Sequence, residues 1–223
     1  DPGVIHLTVA VARHITPYRR VRTGICSQYL QGTIPGQSKV AVWIRRGTLR
    51  LPLSASTPMI LIGPGTGLAP MRSLLKEREA QLESAGEGQR GEERGLKDLV
   101  FFGCRHAKCD YIYRNELEEW QRQDMIELYT AFSRDQPQKI YVQTRLREQG
   151  QRVWNALQNG VLYISGSAKQ MPKDVFETLV QIVLSFGKSD ETSRTGRNFT
   201  DAEARQYLKK MKAEKQYVVE AWS

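Results

Sequence analysis

The stretch Met59-Ile60-Leu61-Ile62-Gly63-Pro64-Gly65-Thr66-Gly67-Leu68-Ala69-Pro70-Met71-Arg72 decides the fold. Its apolar start predicts a buried strand, its glycines predict a tight turn, and the pattern from Ala69 to Leu82 predicts an amphipathic helix. This arrangement directs backbone N–H groups and the positive end of a helix dipole at one point, where a phosphate binds well. The hydroxyl of Thr66 adds a further donor. Taken alone, the pattern also fits a turn that needs glycine only for a positive φ.

Composition describes an ordinary globular protein. Of the 223 residues, 40% are hydrophobic and 26% are charged, which is typical of soluble domains. No apolar run approaches the ~20 residues of a membrane span, and the first residues lack the pattern of a signal peptide. The odd count of three cysteines favours a reducing compartment. We therefore expect a soluble cytoplasmic protein with no membrane partner.

The net charge of +9 raises the question of nucleic-acid binding. The basic residues are spread along the chain, and no nucleic-acid-binding motif accompanies them. A basic surface suits a polyanionic dinucleotide or an acidic protein partner equally well. We expect no nucleic acid among the partners.

The segment Leu51–Pro58 separates two kinds of sequence. Its prolines and small polar residues break both the helical and the strand periodicity, which predicts a domain boundary between residues 57 and 58. In residues 1–57, apolar alternation predicts strands at Ile5–Ala12 and Lys39–Ile44. In residues 58–223, strand-like and helical stretches alternate, which predicts an α/β fold with a doubly wound parallel sheet.

The elements expected in residues 58–223 are five strands and five helices. The strands are Met59–Ile62, Leu99–Gly103, Leu128–Phe132, Val161–Ile164 and Tyr217–Trp222. The helices are Ala69–Leu82, Tyr113–Gln123, Lys139–Gln158, Met171–Phe186 and Asp201–Lys215. Two polar stretches, Glu83–Arg94 and residues 188–198, predict loops.

Residues after the predicted strands form a candidate anion site, because ligands of such sheets bind at the carboxyl ends of the strands. Ser133, Arg134 and Lys139 follow the third strand, and the aromatic Tyr141 is close by. A NAD-specific site would place an Asp or Glu on the ribose 2′-hydroxyl. A hydroxyl with two cations instead suits the 2′-phosphate of NADPH. A solvated basic helix start remains the alternative.

A cysteine and histidine cluster, Cys104-x-His106-x-x-Cys109, follows the second strand. Its spacing fits no familiar zinc pattern, and a structural zinc site needs four ligands. We expect a buried cysteine at a strand end and no metal.

Several ordered motifs together resemble the ferredoxin–NADP reductase family in its diflavin branch, which includes the microsomal cytochrome reductase, the sulfite reductase flavoprotein and the nitric oxide synthase reductase domain. The likeness covers essentially the whole chain. The motifs are Gly63-Pro64-Gly65-Thr66-Gly67-Leu68-Ala69-Pro70, Phe102-Gly103-Cys104-Arg105, Ala131-Phe132-Ser133-Arg134, Lys139-Ile140-Tyr141-Val142-Gln143, Ser165-Gly166-Ser167-Ala168-Lys169-Gln170-Met171-Pro172-Lys173-Asp174-Val175 and Glu220-Ala221-Trp222-Ser223.

The resemblance implies two parts and their cofactors. Residues 1–57 would end an antiparallel β-barrel FAD-binding domain, and residues 58–223 would form an NADPH-binding domain. NADPH would contact the glycine turn, Thr66, Ser133, Arg134, Lys139, Ile140, Tyr141, Val142, Gln143 and Asp174, with Arg105 near the pyrophosphate. FAD would contact Gly24, Ile25, Cys26 and Ser27 through its pyrophosphate, and Trp222 would stack on its flavin ring.

The resemblance also implies a catalytic set of Ser165, Glu220 and Trp222. Many diflavin reductases carry Cys-Gly-Asp where this chain has Ser165-Gly166-Ser167, and Asp where it has Glu220. Serine donates a hydrogen bond but has no accessible anion, so a slower hydride step is expected. These departures are most similar to the cytosolic diflavin reductase of iron–sulfur cluster assembly, which passes electrons from NADPH through FAD and FMN to a partner of the anamorsin type.

Two other functions stay open from the sequence. One is a reductase that serves a haem monooxygenase or a nitric oxide synthase-like partner. The other is a non-catalytic NADPH-binding module. The family's Arg-x-Tyr-Ser flavin motif would precede His6, and the FMN domain would lie farther upstream, so we expect a fragment whose full activity needs both.

Overall fold

The computed structural model describes residues 3–84, 96–187 and 198–222. The chain divides into two compact units, Asp1–Gly47 and Thr48–Ser223. The domain boundary expected between residues 57 and 58 stays a prediction. The predicted loop at residues 188–198, and all but the first two residues of the one at Glu83–Arg94, lie outside the described residues, with the exception of Asn198.

The first unit contains a short antiparallel pair and one helix. Strand β1 (Arg13–Ile15) pairs with β2 (Val21–Thr23), and α1 (Ile25–Gln31) follows directly. The antiparallel pair agrees with the expected end of a barrel. The strands predicted at Ile5–Ala12 and Lys39–Ile44 are wrong. A strand needs a ladder of backbone hydrogen bonds to a neighbouring strand, and in the part of the chain that the structure describes neither segment belongs to a sheet.

The second unit is built on a five-stranded parallel sheet. Its strands are β3 (Met59–Ile62), β4 (Asp98–Cys104), β5 (Ile126–Phe132), β6 (Val161–Ser167) and β7 (Tyr217–Trp222). Their order across the sheet is β5-β4-β3-β6-β7, with every neighbouring pair parallel. The chain builds outward from β3 in one direction and then in the other. The carboxyl ends of β3 and β6, where the order reverses, are therefore the place at which a ligand crevice is expected.

Helices cover both faces of this sheet, which confirms the doubly wound α/β prediction. They are α2 (Leu68–Ser84), α3 (Ala107–Asp110), α4 (Arg114–Arg122), α5 (Val142–Glu148), α6 (Gly150–Asn159), α7 (Met171–Phe186) and α8 (Asp201–Ala213). One buried cluster lies under α5 to α8, and a second lies under α2 and α4. Within the ranges given above, no helix combines the length and apolar character that crossing a bilayer requires.

The single helix predicted at Lys139–Gln158 is wrong, because the structure has two. Helix α5 begins only at Val142, and Gln149 (φ −104°, ψ 24°) separates α5 from α6. At the break, Gly150 packs so tightly that a Cβ there would lie 2.3 Å from the Phe186 ring. Buried residues continue at helical spacing through both pieces, so the sequence pattern gives no sign of the bend.

A buried ion pair fixes the segment that enters β3. The guanidinium of Arg78, on α2, has its Nε 3.5 Å from Oδ2 of Asp98, and both side chains are fully buried. Arg78 Nη2 donates to the Thr57 carbonyl (2.9 Å) and Nη1 to the Ser54 carbonyl (3.2 Å). Oδ1 of Asp98 accepts from the Met59 N–H (2.8 Å). This network joins the entering segment, α2, β3 and β4 at the edge of the sheet opposite the crevice.

Candidate dinucleotide-binding site

The glycine turn after β3 lies directly against β6. Residues Gly65–Gly67 form a single 3₁₀ turn that continues into α2. Gly65 has φ +58°, a conformation that glycine adopts readily. At Gly67 the requirement is space, since a Cβ there would lie 2.1 Å from the carbonyl oxygen of Ser165. The two glycines are thus needed for different reasons, and together they place the helix start at the crevice.

Two arginines lie side by side where β4 and β5 end. The Ser133 N–H donates to the Cys104 carbonyl (3.0 Å), and the Arg134 N–H donates to the Arg105 carbonyl (2.9 Å). Arg105, Arg134 and Lys139 are all exposed, and within the described ranges none of them forms an ion pair. Unpaired cations at this edge favour an anionic ligand.

The carboxylate of Asp135 holds the two strand-end loops together. Oδ2 accepts a hydrogen bond of 2.9 Å from the Ala107 N–H. Oδ1 lies 2.9 Å from Nδ1 of His106. The Ala107 N–H bond, and then the His106 bond, lower the pKa of Asp135. Sequence reasoning missed this residue, although a carboxylate directly after two site residues was a visible signal.

The Lys139–Gln143 stretch passes from an exposed loop into α5. Tyr141 is 49% exposed and lines an open pocket with Gln143 and Asp174. Gln143 Nε2 donates to Oδ2 of Asp174 (3.3 Å), which joins the starts of α5 and α7. Ile140 and Val142 point the other way, because both side chains pack in the core under α5.

The predicted catalytic residues lie on β6 and β7. Ser165 is fully buried, and its Oγ has no hydrogen-bond partner in the described part of the chain. Glu220 is its register partner on β7. The Glu220 carboxylate accepts from the Thr48 N–H (3.1 Å) and from the Thr48 hydroxyl, a contact that the sequence did not suggest. Trp222, two residues on, is 46% exposed.

The predicted FAD turn belongs to the first unit. The Gly24 N–H donates to the Ala12 carbonyl (2.9 Å), and α1 starts with Ile25 and Cys26, both exposed. Ser27 Oγ accepts from the Ala12 N–H (3.1 Å) and donates to the Gly24 carbonyl (3.1 Å). Hydrogen bonds to the Ala12 backbone and between Ser27 and Gly24 therefore fix the conformation of the turn.

The cysteine at the end of β4 is half-buried rather than buried as expected. Its Sγ donates to the His106 carbonyl (3.5 Å). Burial, and then the nearby Asp110 and Asp135 carboxylates, raise the pKa of Cys104 to about 11. In the residues that the structure describes, no group of three or more His, Cys, Asp or Glu side chains is placed to bind a metal ion.

Thiol labelling should separate the three cysteines. Cys26 and Cys109 are exposed, whereas the Cys104 thiol stays protonated far above neutral pH. Because only the thiolate attacks alkylating reagents, iodoacetamide at pH 8 should modify two cysteines quickly and Cys104 only after unfolding. Mass spectrometry of tryptic peptides measures this. Rapid labelling of Cys104 in the folded protein would contradict the environment described for it.

Comparison with known proteins identifies the family. The model of the oxidoreductase NAD-binding domain matches residues 61–177, and the chain belongs to this family. Over its whole length the chain is 39% identical to NADPH–cytochrome P450 reductase of Drosophila melanogaster and 39% identical to NADPH-dependent diflavin oxidoreductase 1 of Arabidopsis thaliana, covering 31% and 34% of these proteins. The Bos taurus diflavin oxidoreductase 1 is 36% identical, with 34% covered.

These identities confirm the resemblance to the diflavin reductases. The chain spans about a third of the length of the curated relatives it matches. The P450 reductase and the diflavin oxidoreductase are equally similar to it at 39%, so identity alone does not choose between these two kinds of reductase.

Proposed function

We propose that this chain is the NADPH-binding part, with the end of the FAD-binding part, of a diflavin reductase. One observation carries the proposal. At the carboxyl edge of the sheet, a glycine turn opens a helix against β6, and the cations Arg105, Arg134 and Lys139 follow the neighbouring strands without ion-pair partners in the described ranges. A dinucleotide phosphate is the ligand that such an edge favours.

Ser133, Arg134 and Lys139 would bind the 2′-phosphate. Charge-assisted hydrogen bonds contribute roughly 1.5–3 kcal/mol each, so two of them give about a hundredfold preference or more for NADPH over NADH. Asp135 directly follows the proposed phosphate-binding residues Ser133 and Arg134, and in a NAD-type site it would hold the free 2′-hydroxyl instead. Both of its oxygens already accept hydrogen bonds from the neighbouring loop, which argues against a NAD-type site.

The remaining contacts follow the path of an extended dinucleotide. The N–H groups of the glycine turn, the Thr66 hydroxyl and Arg105 would bind the pyrophosphate. The exposed ring of Tyr141 offers a flat face to the adenine side of the ligand. Gln143 and Asp174 line the pocket beside that ring, while Ile140 and Val142 anchor the stretch in the core.

Gly24, Ile25, Cys26 and Ser27 would bind the FAD pyrophosphate, and Trp222 would have the role of covering a flavin ring. When both cofactors are bound, NADPH supplies a hydride that FAD accepts. Trp222 is exposed enough to cover a flavin ring and to swing aside. The buried Ser165 hydroxyl has a hydrogen bond left to give, and Glu220 would keep a carboxylate near the reacting edge.

The acceptor is proposed on narrower grounds. We infer that electrons pass through an FMN domain of the same protein to an iron–sulfur partner of the anamorsin type in the cytoplasm. Ser165-Gly166-Ser167 and the diflavin oxidoreductase relatives support this. Residues 3–47 contain seven Lys or Arg and no Asp or Glu, which favours docking of an acidic domain. Free cysteines agree with a reducing compartment.

A haem protein is the second candidate acceptor, because the P450 reductase relative is equally similar to the chain. The two are separated by comparing how fast the full-length reductase reduces an iron–sulfur acceptor and a haem acceptor. A nitric oxide synthase-like oxygenase belongs in the same comparison. Reduction of haem alone would refute the iron–sulfur proposal.

Oxidation of NADPH in the presence of FAD tests the reductase proposal. With ferricyanide as acceptor and FAD added, a protein that extends upstream of His6 through the family's flavin motif should oxidise NADPH, and NADH much more slowly. In Trp222→Ala, the ratio of the NADPH and NADH oxidation rates should decrease and nicotinamide release should become slower, because the ring would no longer cover the flavin. Steady-state kinetics with both nucleotides measure it. NADPH binding with no FAD-dependent oxidation would instead indicate a non-catalytic binding module.

A further inference from the structure

We infer that Asp135 is a positioning residue that sets the preference for a 2′-phosphorylated nucleotide. It does so by fixing the loop that carries Ser133 and Arg134 to the loop after β4. The inference rests on the proposed NADPH site and deepens it, since Asp135 itself would not touch the ligand.

The geometry shows how the two loops are joined. The ladder between β4 and β5 ends at the pair Cys104 and Phe132. Backbone bonds from residues 133 and 134 to the carbonyls of residues 104 and 105 extend the pairing by two steps. Beyond them the Asp135 carboxylate links the two loops through hydrogen bonds of 2.9 Å to the Ala107 N–H and to His106 Nδ1. A side chain thus replaces strand pairing where the chain leaves the sheet.

The other end of the loop is closed separately. Gln136 Nε2 donates to the Phe132 carbonyl (2.5 Å) and to the Gln138 carbonyl (2.8 Å). Loss of the Asp135 contacts would therefore not unfold residues 132–138. It would loosen the loop just beyond Arg134, whose backbone bond to Arg105 remains.

Fixing the loop at this point matters because Arg134 is exposed and has no ion pair of its own in the described ranges. A guanidinium binds a phosphate through a fork of fixed geometry. Its position depends on the backbone that carries it, and ordering a long side chain on binding costs about 0.5–1.5 kcal/mol. A loop that is already fixed avoids part of this cost.

The positioning role and a plain charge effect predict opposite results. As a charge alone, the Asp135 carboxylate repels a phosphate, so removing it would tighten binding. As a positioning residue, its removal weakens binding of the 2′-phosphate in spite of the gain in positive charge.

The experiment is a calorimetric titration of this chain with 2′,5′-ADP and with 5′-ADP, which differ by the 2′-phosphate. For Asp135→Ala we expect 2′,5′-ADP to bind about 3- to 10-fold more weakly, with 5′-ADP changed by less than about twofold. His106→Ala should shift the ratio in the same direction by less, because the Ala107 bond remains. A general structural defect would weaken the binding of 2′,5′-ADP and of 5′-ADP by the same factor.

The matched control is Asp124→Asn, set beside Asp135→Asn. Asp124 pairs with Lys97 next to the start of β5, at the opposite edge of the sheet. Its replacement removes the same charge, and Asn tolerates its φ of +61°. The ratio of the two affinities should not change. The affinity of Asp135→Asn for 2′,5′-ADP should lie between those of wild type and Asp135→Ala, since an amide oxygen still accepts from the Ala107 N–H.

Tighter or unchanged binding of 2′,5′-ADP by Asp135→Ala, with His106→Ala also unchanged, would overturn the inference. If Asp135→Ala fails to fold, His106→Ala decides alone. A wild-type chain that binds 2′,5′-ADP and 5′-ADP equally would overturn the proposed NADPH site as well. The two failures are distinguishable, because only the second appears in the wild type.

Discussion

Replacing Arg134 by alanine should weaken NADPH binding roughly tenfold to a hundredfold and leave NADH binding nearly unchanged. The guanidinium has no ion pair within the described ranges, so its loss removes one charge-assisted contact with the 2′-phosphate, worth roughly 1.5–3 kcal/mol. NADH has no group at that position. Calorimetric titration of wild type and variant with both nucleotides measures the effect.

Arg122→Ala is the matched control. Arg122 is exposed, ends α4 and pairs with Glu119, near the edge where β5 begins rather than where it ends. Its removal lowers the net charge by the same amount without touching the proposed site. Equal weakening by the two variants would show that Arg134 acts only through overall charge.

Asp98→Ala should lower the free energy of unfolding by about 3–5 kcal/mol. Removing one partner of a buried ion pair leaves the other charge without compensation, and Arg78 and Asp98 are both fully buried. The Met59 N–H also loses its acceptor. Arg78→Met should have a similar effect, since the Ser54 and Thr57 carbonyls lose their donors. Urea unfolding followed by circular dichroism gives the values.

The double variant Arg78→Met/Asp98→Leu should lose less free energy of unfolding than the sum of the losses in the two single variants. The reason is that no buried charge is left unpaired. Arg205→Met is the surface comparison. Arg205 pairs with Glu177 and Asp201 while partly exposed, and exposed pairs contribute about 0–1 kcal/mol. An Asp98→Ala protein as stable as Arg205→Met would show that the buried pair adds nothing.

The parallel sheet could be predicted because its three central strands, β3, β4 and β6, are buried on both faces. The continuous apolar run Met59–Ile62 is wholly buried, and the glycines that follow it provide a positive φ at Gly65 and a close backbone approach at Gly67. The bounds of α7 and β7 also match the predicted ranges. Local periodicity and turn chemistry carry this part of the fold.

Features that depend on distant partners could not be predicted. The contact of Thr48 with Glu220 joins residues 172 apart in the chain, and that of His106 with Asp135 joins residues 29 apart. No local pattern marks such pairs. The prediction of strands at Ile5–Ala12 and Lys39–Ile44 was wrong for a similar reason. Apolar alternation shows which residues fit a sheet, but it does not show whether a neighbouring strand is present.

Titration of the wild-type chain with NADPH and NADH, with and without added FAD, tests the central claim most directly. We expect NADPH to bind about a hundredfold more tightly than NADH or better, in line with two or more charge-assisted contacts to the 2′-phosphate. Added FAD should leave that preference in place. Equal affinity for the two nucleotides in both titrations would contradict the assignment of Ser133, Arg134 and Lys139 to the 2′-phosphate.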